Sequence, residues 1–207
     1  MYDVETLSPD DVIAKMLPIK DQRPSDEEFL APILHPKGVS SDCPSSNNTY
    51  RWYYALCNVL RPDSIAEIGV LFGYSLYSMA VGAGTKPKLY GIDMEAYVKG
   101  CLQHARERLA PVSSSVNIVE ANSQSLTTLP WADLVDVFHV DGDHSENGCK
   151  HDMGLAWGGL KPGGWMIVDD TTIFHLENPC REFASREKAR IFVHPTLRGW
   201  ALIVKPS

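Results

Sequence analysis

Two short runs hold the side chains best suited to chemistry. Asp141-Gly142-Asp143-His144 ends one apolar, β-branched stretch (Val135 to Val140), and Asp169-Asp170 ends another (Trp165 to Val168). Carboxylates so grouped offer hard oxygen ligands to a divalent cation. An adjacent imidazole adds a group that exchanges protons near neutral pH. A single carboxylate at a strand end is ordinary; two clusters on neighbouring strand ends make a site. Between them lies a helix-like segment, roughly Glu146 to Leu160, followed by Lys161-Pro162-Gly163-Gly164, which reads as a turn remote from the site. Two strands joined by a helical crossover lie parallel, with a right-handed connection. Both acidic clusters then leave the sheet at its carboxyl edge, where open α/β sheets bind ligands.

The rest of the chain supplies that sheet. Strand patterns occur at Ser64 to Val70, Lys88 to Asp93 and Val116 to Ala121, with helical patterns after the first two, at about Ser75 to Val81 and Tyr97 to Leu109. Pro179 to Arg190 reads as a helix, and Ile191 to His194 with Trp200 to Lys205 as a β-hairpin. The expected fold is α/β: a doubly wound, mostly parallel, seven-stranded Rossmann-like sheet closed by a C-terminal antiparallel hairpin. Tyr50, Tyr53, Tyr54, Cys57 and Leu60 fall on one helical face and read as core. Residues 1–46 are interrupted by Pro, Asp and Ser, and form an extension that either covers the site as a lid or packs as a surface arm. Residues 47–207 form the domain proper.

Composition narrows the function. A chain of 207 residues with 44% hydrophobic and 22% charged residues suits one soluble globular domain. Five scattered cysteines without a CxxC pair point to reduced thiols and a cytoplasmic setting. The acidic start lacks a signal-peptide pattern, and no apolar run nears the ~18 residues of a membrane span. A net charge of −7 without a basic block argues against nucleic-acid partners. The expected partner is a small molecule; whether the chain is a monomer or a homodimer is left open.

The first strand-to-helix turn reads Glu67-Ile68-Gly69-Val70-Leu71-Phe72-Gly73. Its E-x-G-x-x-x-G spacing lacks one glycine of the dinucleotide fingerprint, and Glu67 stands where a phosphate would be repelled. A ligand with a positive or neutral group fits better. Asp93 ends the next strand, where a carboxylate accepts from both hydroxyls of a ribose. Together they favour an adenosine-containing ligand.

These residues, with Gly91-Ile92-Asp93 and the stretch from Val140 to Asp170, resemble class I S-adenosylmethionine-dependent methyltransferases. They are most similar to small metal-dependent O-methyltransferases with D-G-D-H and D-D at two strand ends. The resemblance covers about residues 60–205. It implies that Glu67 meets the amino-acid end of the cofactor, that Gly69 and Gly73 allow close backbone approach, and that Tyr74 and Ser75 lie beside its carboxylate. It further implies Asp93 on the ribose, Asn122 and Ser123 beside adenine, and Asp141, Asp169 and Asp170 around a divalent ion, with Mg²⁺ suited to three oxygen ligands.

The expected reaction is transfer to a hydroxyl of a small molecule, with a metal orienting and acidifying the acceptor at Asp141 and either His144 or His175 as base. Three other readings stand beside it. One is a metal-independent N- or O-methyltransferase with a His base. Another is a nicotinamide-dependent oxidoreductase, and the third a non-catalytic binding domain. Asp143 reads as a helix cap, His139 as a hydrogen-bonded core residue and His151 as a solvated one.

Overall fold

Each strand pattern becomes part of one seven-stranded sheet in the computed structural model, which describes residues 7–20, 44–96, 98–194 and 197–207. The strands are β1 (Ser64–Ile68), β2 (Lys88–Asp93), β3 (Ser115–Glu120), β4 (Val135–Val140), β5 (Leu160–Asp169), β6 (Arg190–His194) and β7 (Trp200–Val204). Their order is β3-β2-β1-β4-β5-β7-β6. Strands β1 to β5 pair in parallel, and β7 inserts antiparallel between β5 and β6. This is the doubly wound, mostly parallel sheet with a terminal antiparallel hairpin that the sequence predicts.

Helices α1 (Pro9–Met16), α2 (Pro44–Leu60), α3 (Tyr74–Ala83) and α4 (Cys101–Leu109) cover one face; α5 (Glu146–Gly159) and α6 (Glu177–Arg186) cover the other. Strand alternation sorts the side chains between these layers. Ile65, Val137, Trp165, Ile167 and Leu202 pack in the cluster with α1 to α4, while Ala66, Phe138, Met166, Val168 and Ile203 pack with α5 and α6. Burying one such large side chain contributes about 1.5–3 kcal/mol. Burial on both faces, rather than local propensity, therefore holds these short strands.

Helix α1 starts at a capping box between Ser8 and Asp11 and buries Val12 and Met16 in the same core. The remainder of the expected extension, residues 1–6 and 21–43, lies outside the described residues, as do Tyr97 and the hairpin residues Pro195 and Thr196. The expected turn at Lys161 to Gly164 instead opens β5, whose register against β4 shifts between Val135 and Val137. Lys161 pairs with Asp136 at 2.7 Å, and sheet pairing overrides the turn-like composition there. Helix α4 begins at Cys101, later than predicted, because the Glu95 carboxylate takes the Gly100 and Leu102 N–H groups, both at 3.0 Å. Helix α6 runs two residues earlier at its start and ends before Lys188, whose φ of +54° breaks it. Among the described residues no helix is long and apolar enough to cross a membrane.

Candidate active site

The order of strands reverses between β1 and β4, and there the chain opens a cleft of about 810 Å³. Gly69 leaves β1 with φ +93°, and its N–H donates to Ile92 O at 2.9 Å. A Cβ on Gly69 would stand 1.9 Å from the Asp141 carbonyl oxygen, so the approach of β4 demands glycine even before any ligand arrives. Gly73 does not line the cleft. Its φ is +74°, and a Cβ would press on Ala105 and Leu109 of α4. Helix packing accounts for that glycine.

Tyr74, Ser75, Asp93, Asn122 and Ser123 all line the cleft. Asp93 accepts the Leu71 N–H at 2.7 Å on Oδ2 and the N–H groups of Met94 (2.6 Å) and Glu95 (3.3 Å) on Oδ1. Each carboxylate oxygen has two lone pairs, so Oδ2 retains capacity for a hydroxyl donor. Asn122 caps its own 3₁₀ turn by accepting the Gln124 N–H at 2.9 Å. Two braces escaped sequence reasoning. Arg108 donates to Phe72 O (2.6 Å) and to the Tyr74 hydroxyl (2.9 Å), with its guanidinium 3.6 Å from the Tyr74 ring. Buried Asp152 accepts from the Gln124 amide (2.8 Å) and from the Asp143 N–H (3.3 Å), tying the ends of β3 and β4 together. His151, expected in solvent, bonds Ser123 O at 3.0 Å. The cap of α5 is Ser145, whose hydroxyl accepts the Gly148 N–H, while Asp143 accepts the Ser145 N–H.

Beneath the cleft lies a buried polar stripe. Glu67, His139 and Asp169 share the sheet face of Ile65, Val137 and Ile167 by alternation. Tyr53 of α2 sits on His139, with ring centroids 4.7 Å apart. Glu67 is fully buried and does not line the cleft; it accepts from the Ser75 hydroxyl and contacts His139 Nδ1 at 2.6 Å. Its link to the cleft is therefore through Ser75. Burial raises the Glu67 carboxyl against the opposing pull of His139 and Ser75. For His139, burial alone would lower the ring, but the hydrogen bond to Glu67 and its charge outweigh this and raise it to about 9. A His raised in the folded state contributes stability that is complete below its ordinary value and lost as pH rises through the folded one. The melting temperature should therefore fall from about pH 7 to about pH 10, less steeply in His139→Phe; equal slopes in a thermal melt series would contradict this role.

At the carboxyl edge, ligand atoms of Asp141, His144 and Asp170 lie within 4.8 Å of one another. His144 Nε2 is 3.3 Å from Asp141 Oδ1 and 3.2 Å from Asp170 Oδ2, yet aligned as a hydrogen-bond donor to neither. Burial lowers this ring, and the two carboxylates outweigh it, raising it to about 10. Asp169, expected beside Asp141 and Asp170, does not belong to this group. Asp169 still pairs in the sheet opposite Trp200, its side chain turned with Ile167 toward the α2 layer. Its Oδ1 accepts the Asp170 N–H at 2.8 Å, and burial followed by the Asp141 charge pushes it up to about 7. Asp170 is the first residue past the strand and, with φ +57°, faces the edge. Arg198, unforeseen, donates to Asp170 Oδ2. Of the two candidate bases only His144 lines the cleft, its ring 4.4 Å from that of Phe174. His175 is exposed on the loop beyond. Tyr53, Cys57 and Leu60 are core as expected, whereas Tyr50 lines the cleft.

A reversal-point cleft with an acidic residue at the end of β2 and an acidic cluster beyond β4 and β5 defines an α/β ligand-binding enzyme site. The profile of a family described as a methyltransferase domain matches residues 66–171, just over half of the chain. The chain belongs to that methyltransferase family, and it is an enzyme of that class. Among solved structures, it is similar to the O-methyltransferase TomG of Streptomyces achromogenes, solved with S-adenosylmethionine, at TM-score 0.66 and 18% identity over 100% of both chains. A methyltransferase of Podospora anserina, bound to S-adenosylhomocysteine, aligns at TM-score 0.64 and 16% identity, covering 99% of this chain and 92% of that one. An O-methyltransferase of Bacillus cereus, also with S-adenosylhomocysteine, aligns at TM-score 0.61 and 15% identity over 97% and 93%. At such identities the likeness establishes the fold. No curated protein matches the sequence.

Proposed function

We propose that this protein transfers the methyl group of S-adenosylmethionine to a hydroxyl oxygen of a small molecule, assisted by a divalent cation at Asp141, His144 and Asp170. One observation carries the reading: a single cleft is lined by Asp93, Asn122 and Ser123 together with Asp141 and His144. The cofactor supplies an electrophilic methyl on a sulfonium. Tyr74 and Ser75 open α3, and a helix N-terminus favours the cofactor's carboxylate. Asp93 accepts from the ribose, and Asn122 and Ser123 flank the base.

The acidic cluster fits a cation by its own chemistry. Asp170 Oδ1 and His144 Nε2 are both buried without a hydrogen-bond partner among the described residues. Two carboxylates and an imidazole suit Mn²⁺ or Zn²⁺ as well as the expected Mg²⁺. When bound, such an ion polarises the acceptor hydroxyl and lowers its pKa. Asp141 and His144 would hold that ion so that the hydroxyl faces the cofactor; a ring nitrogen bound to the ion has no lone pair left for a proton, so His144 serves as base in the metal-independent reading alone.

A second reading, metal-independent N- or O-methylation, is favoured by Arg198, which already sets a positive charge on Asp170. The oxidoreductase alternative falls with the family assignment. The test is calorimetric titration with S-adenosylmethionine of the wild type and of Asp93→Ala. Losing hydrogen bonds to a charged group costs about 1.5–3 kcal/mol, so the variant should bind about 10- to 150-fold more weakly. Unchanged affinity would remove Asp93 from the cofactor site, and no binding by the wild type would end the reading.

A further inference from the structure

We infer that Arg198 is a tethered cation that competes with the divalent ion for Asp170, and so sets how tightly the site holds metal. This rests on the proposed cation at Asp141, His144 and Asp170. Arg198 belongs to the turn between β6 and β7, outside both acidic motifs. It donates to Asp170 Oδ2, the oxygen that also lies 3.2 Å from His144 Nε2. A cation held against His144 Nε2 therefore meets the carboxylate oxygen that the guanidinium already occupies. The Arg198 carbonyl in turn accepts the N–H groups of Thr172 (2.8 Å) and Ile173 (3.3 Å). The loop that carries Asp170 and the guanidinium are thereby fixed to each other.

Two effects of this contact oppose one another. An oxygen that already accepts a charged hydrogen bond is a poorer donor to a metal, and a fixed positive charge close by repels a dication. The Arg198 side chain is 28% exposed and that of Asp170 only 2%, so solvent screens this repulsion weakly. Against it stands orientation: a clamped carboxylate is already aimed. Orientation matters less here, because the Asp170 side chain is only 2% exposed and has little room to turn. Competition therefore wins, and removing the guanidinium tightens metal binding. A residue that merely supported the fold or the ligand would have the reverse effect.

The test is Mn²⁺ titration by calorimetry on the full chain as wild type, Arg198→Met and Arg198→Lys. Arg198→Met keeps the stem and loses the charge, and should bind Mn²⁺ about tenfold more tightly, a difference of about 1.4 kcal/mol. Arg198→Lys, which keeps the charge, should stay close to wild type. Arg198→Gln repeats the measurement should the Met variant fail to fold. Equal or weaker Mn²⁺ binding in the neutral variants overturns the role of Arg198 and leaves the cation site standing. Absence of Mn²⁺ binding in every form overturns both.

Discussion

Asp141→Asn is expected to lower methyl transfer by roughly 10²- to 10⁴-fold, the range for loss of a group that manages the reacting proton. Asp141 stands at the reversal point, lines the cleft and approaches His144 through Oδ1 at 3.3 Å. The amide keeps the shape and removes the charge, so the Asp141 carbonyl can still pack on Gly69 and the fold should survive. On the proposed reading two contributions would vanish together: one ligand of the cation and a negative charge beside His144. On the same reading the cofactor would be held mainly by Asp93 and the turns after β1 and β3, so its affinity should change little. Single-turnover kinetics beside cofactor titration separates the two. A variant that binds cofactor poorly but transfers at the wild-type rate when saturated would place Asp141 in the cofactor site alone.

Gly69→Ala should produce the largest loss of stability. The new Cβ would meet the Asp141 carbonyl oxygen at 1.9 Å and its carbon at 2.5 Å, both backbone atoms in paired strand ends. Neither can step aside without separating β1 from β4. A residue with a side chain at φ +93° adds about 1–3 kcal/mol of strain, and overpacking about 1–3 kcal/mol more. The sum, roughly 2–6 kcal/mol, is a large part of the total stability of about 5–15 kcal/mol of an ordinary domain. Urea denaturation would report it as a lower midpoint. A midpoint equal to wild type would show that the strand ends yield more easily than their pairing suggests.

What could be read from the sequence was whatever depends on one element and its neighbour. Asp93, Asp141 and Asp170 follow strands whose apolar runs are unmistakable, and parallel pairing then brings their ends to one edge. His144 is carried there by the turn after β4. What escaped depends on distant elements. Glu67, His139 and Asp169 fall on one face by simple alternation, but that this face lies under Tyr53 depends on where α2 docks. Gly73 looked like a ligand glycine, yet its neighbours Ala105 and Leu109 belong to a helix about thirty residues on. Arg198 gave no periodic signal at all. It reaches Asp170 only because β7 inserts beside β5, with Trp200 opposite Asp169. At Lys161 to Gly164, turn-forming residues were drawn into β5 by pairing with β4.

The most direct test of the account is methyl transfer from isotope-labelled S-adenosylmethionine to a panel of catechols and sugar hydroxyls, with and without chelator. The account predicts a labelled methyl ether that disappears with chelator and returns when Mn²⁺ or Mg²⁺ is added back. A labelled methyl ether formed at the same rate in chelator, or label found only on nitrogen, would contradict it.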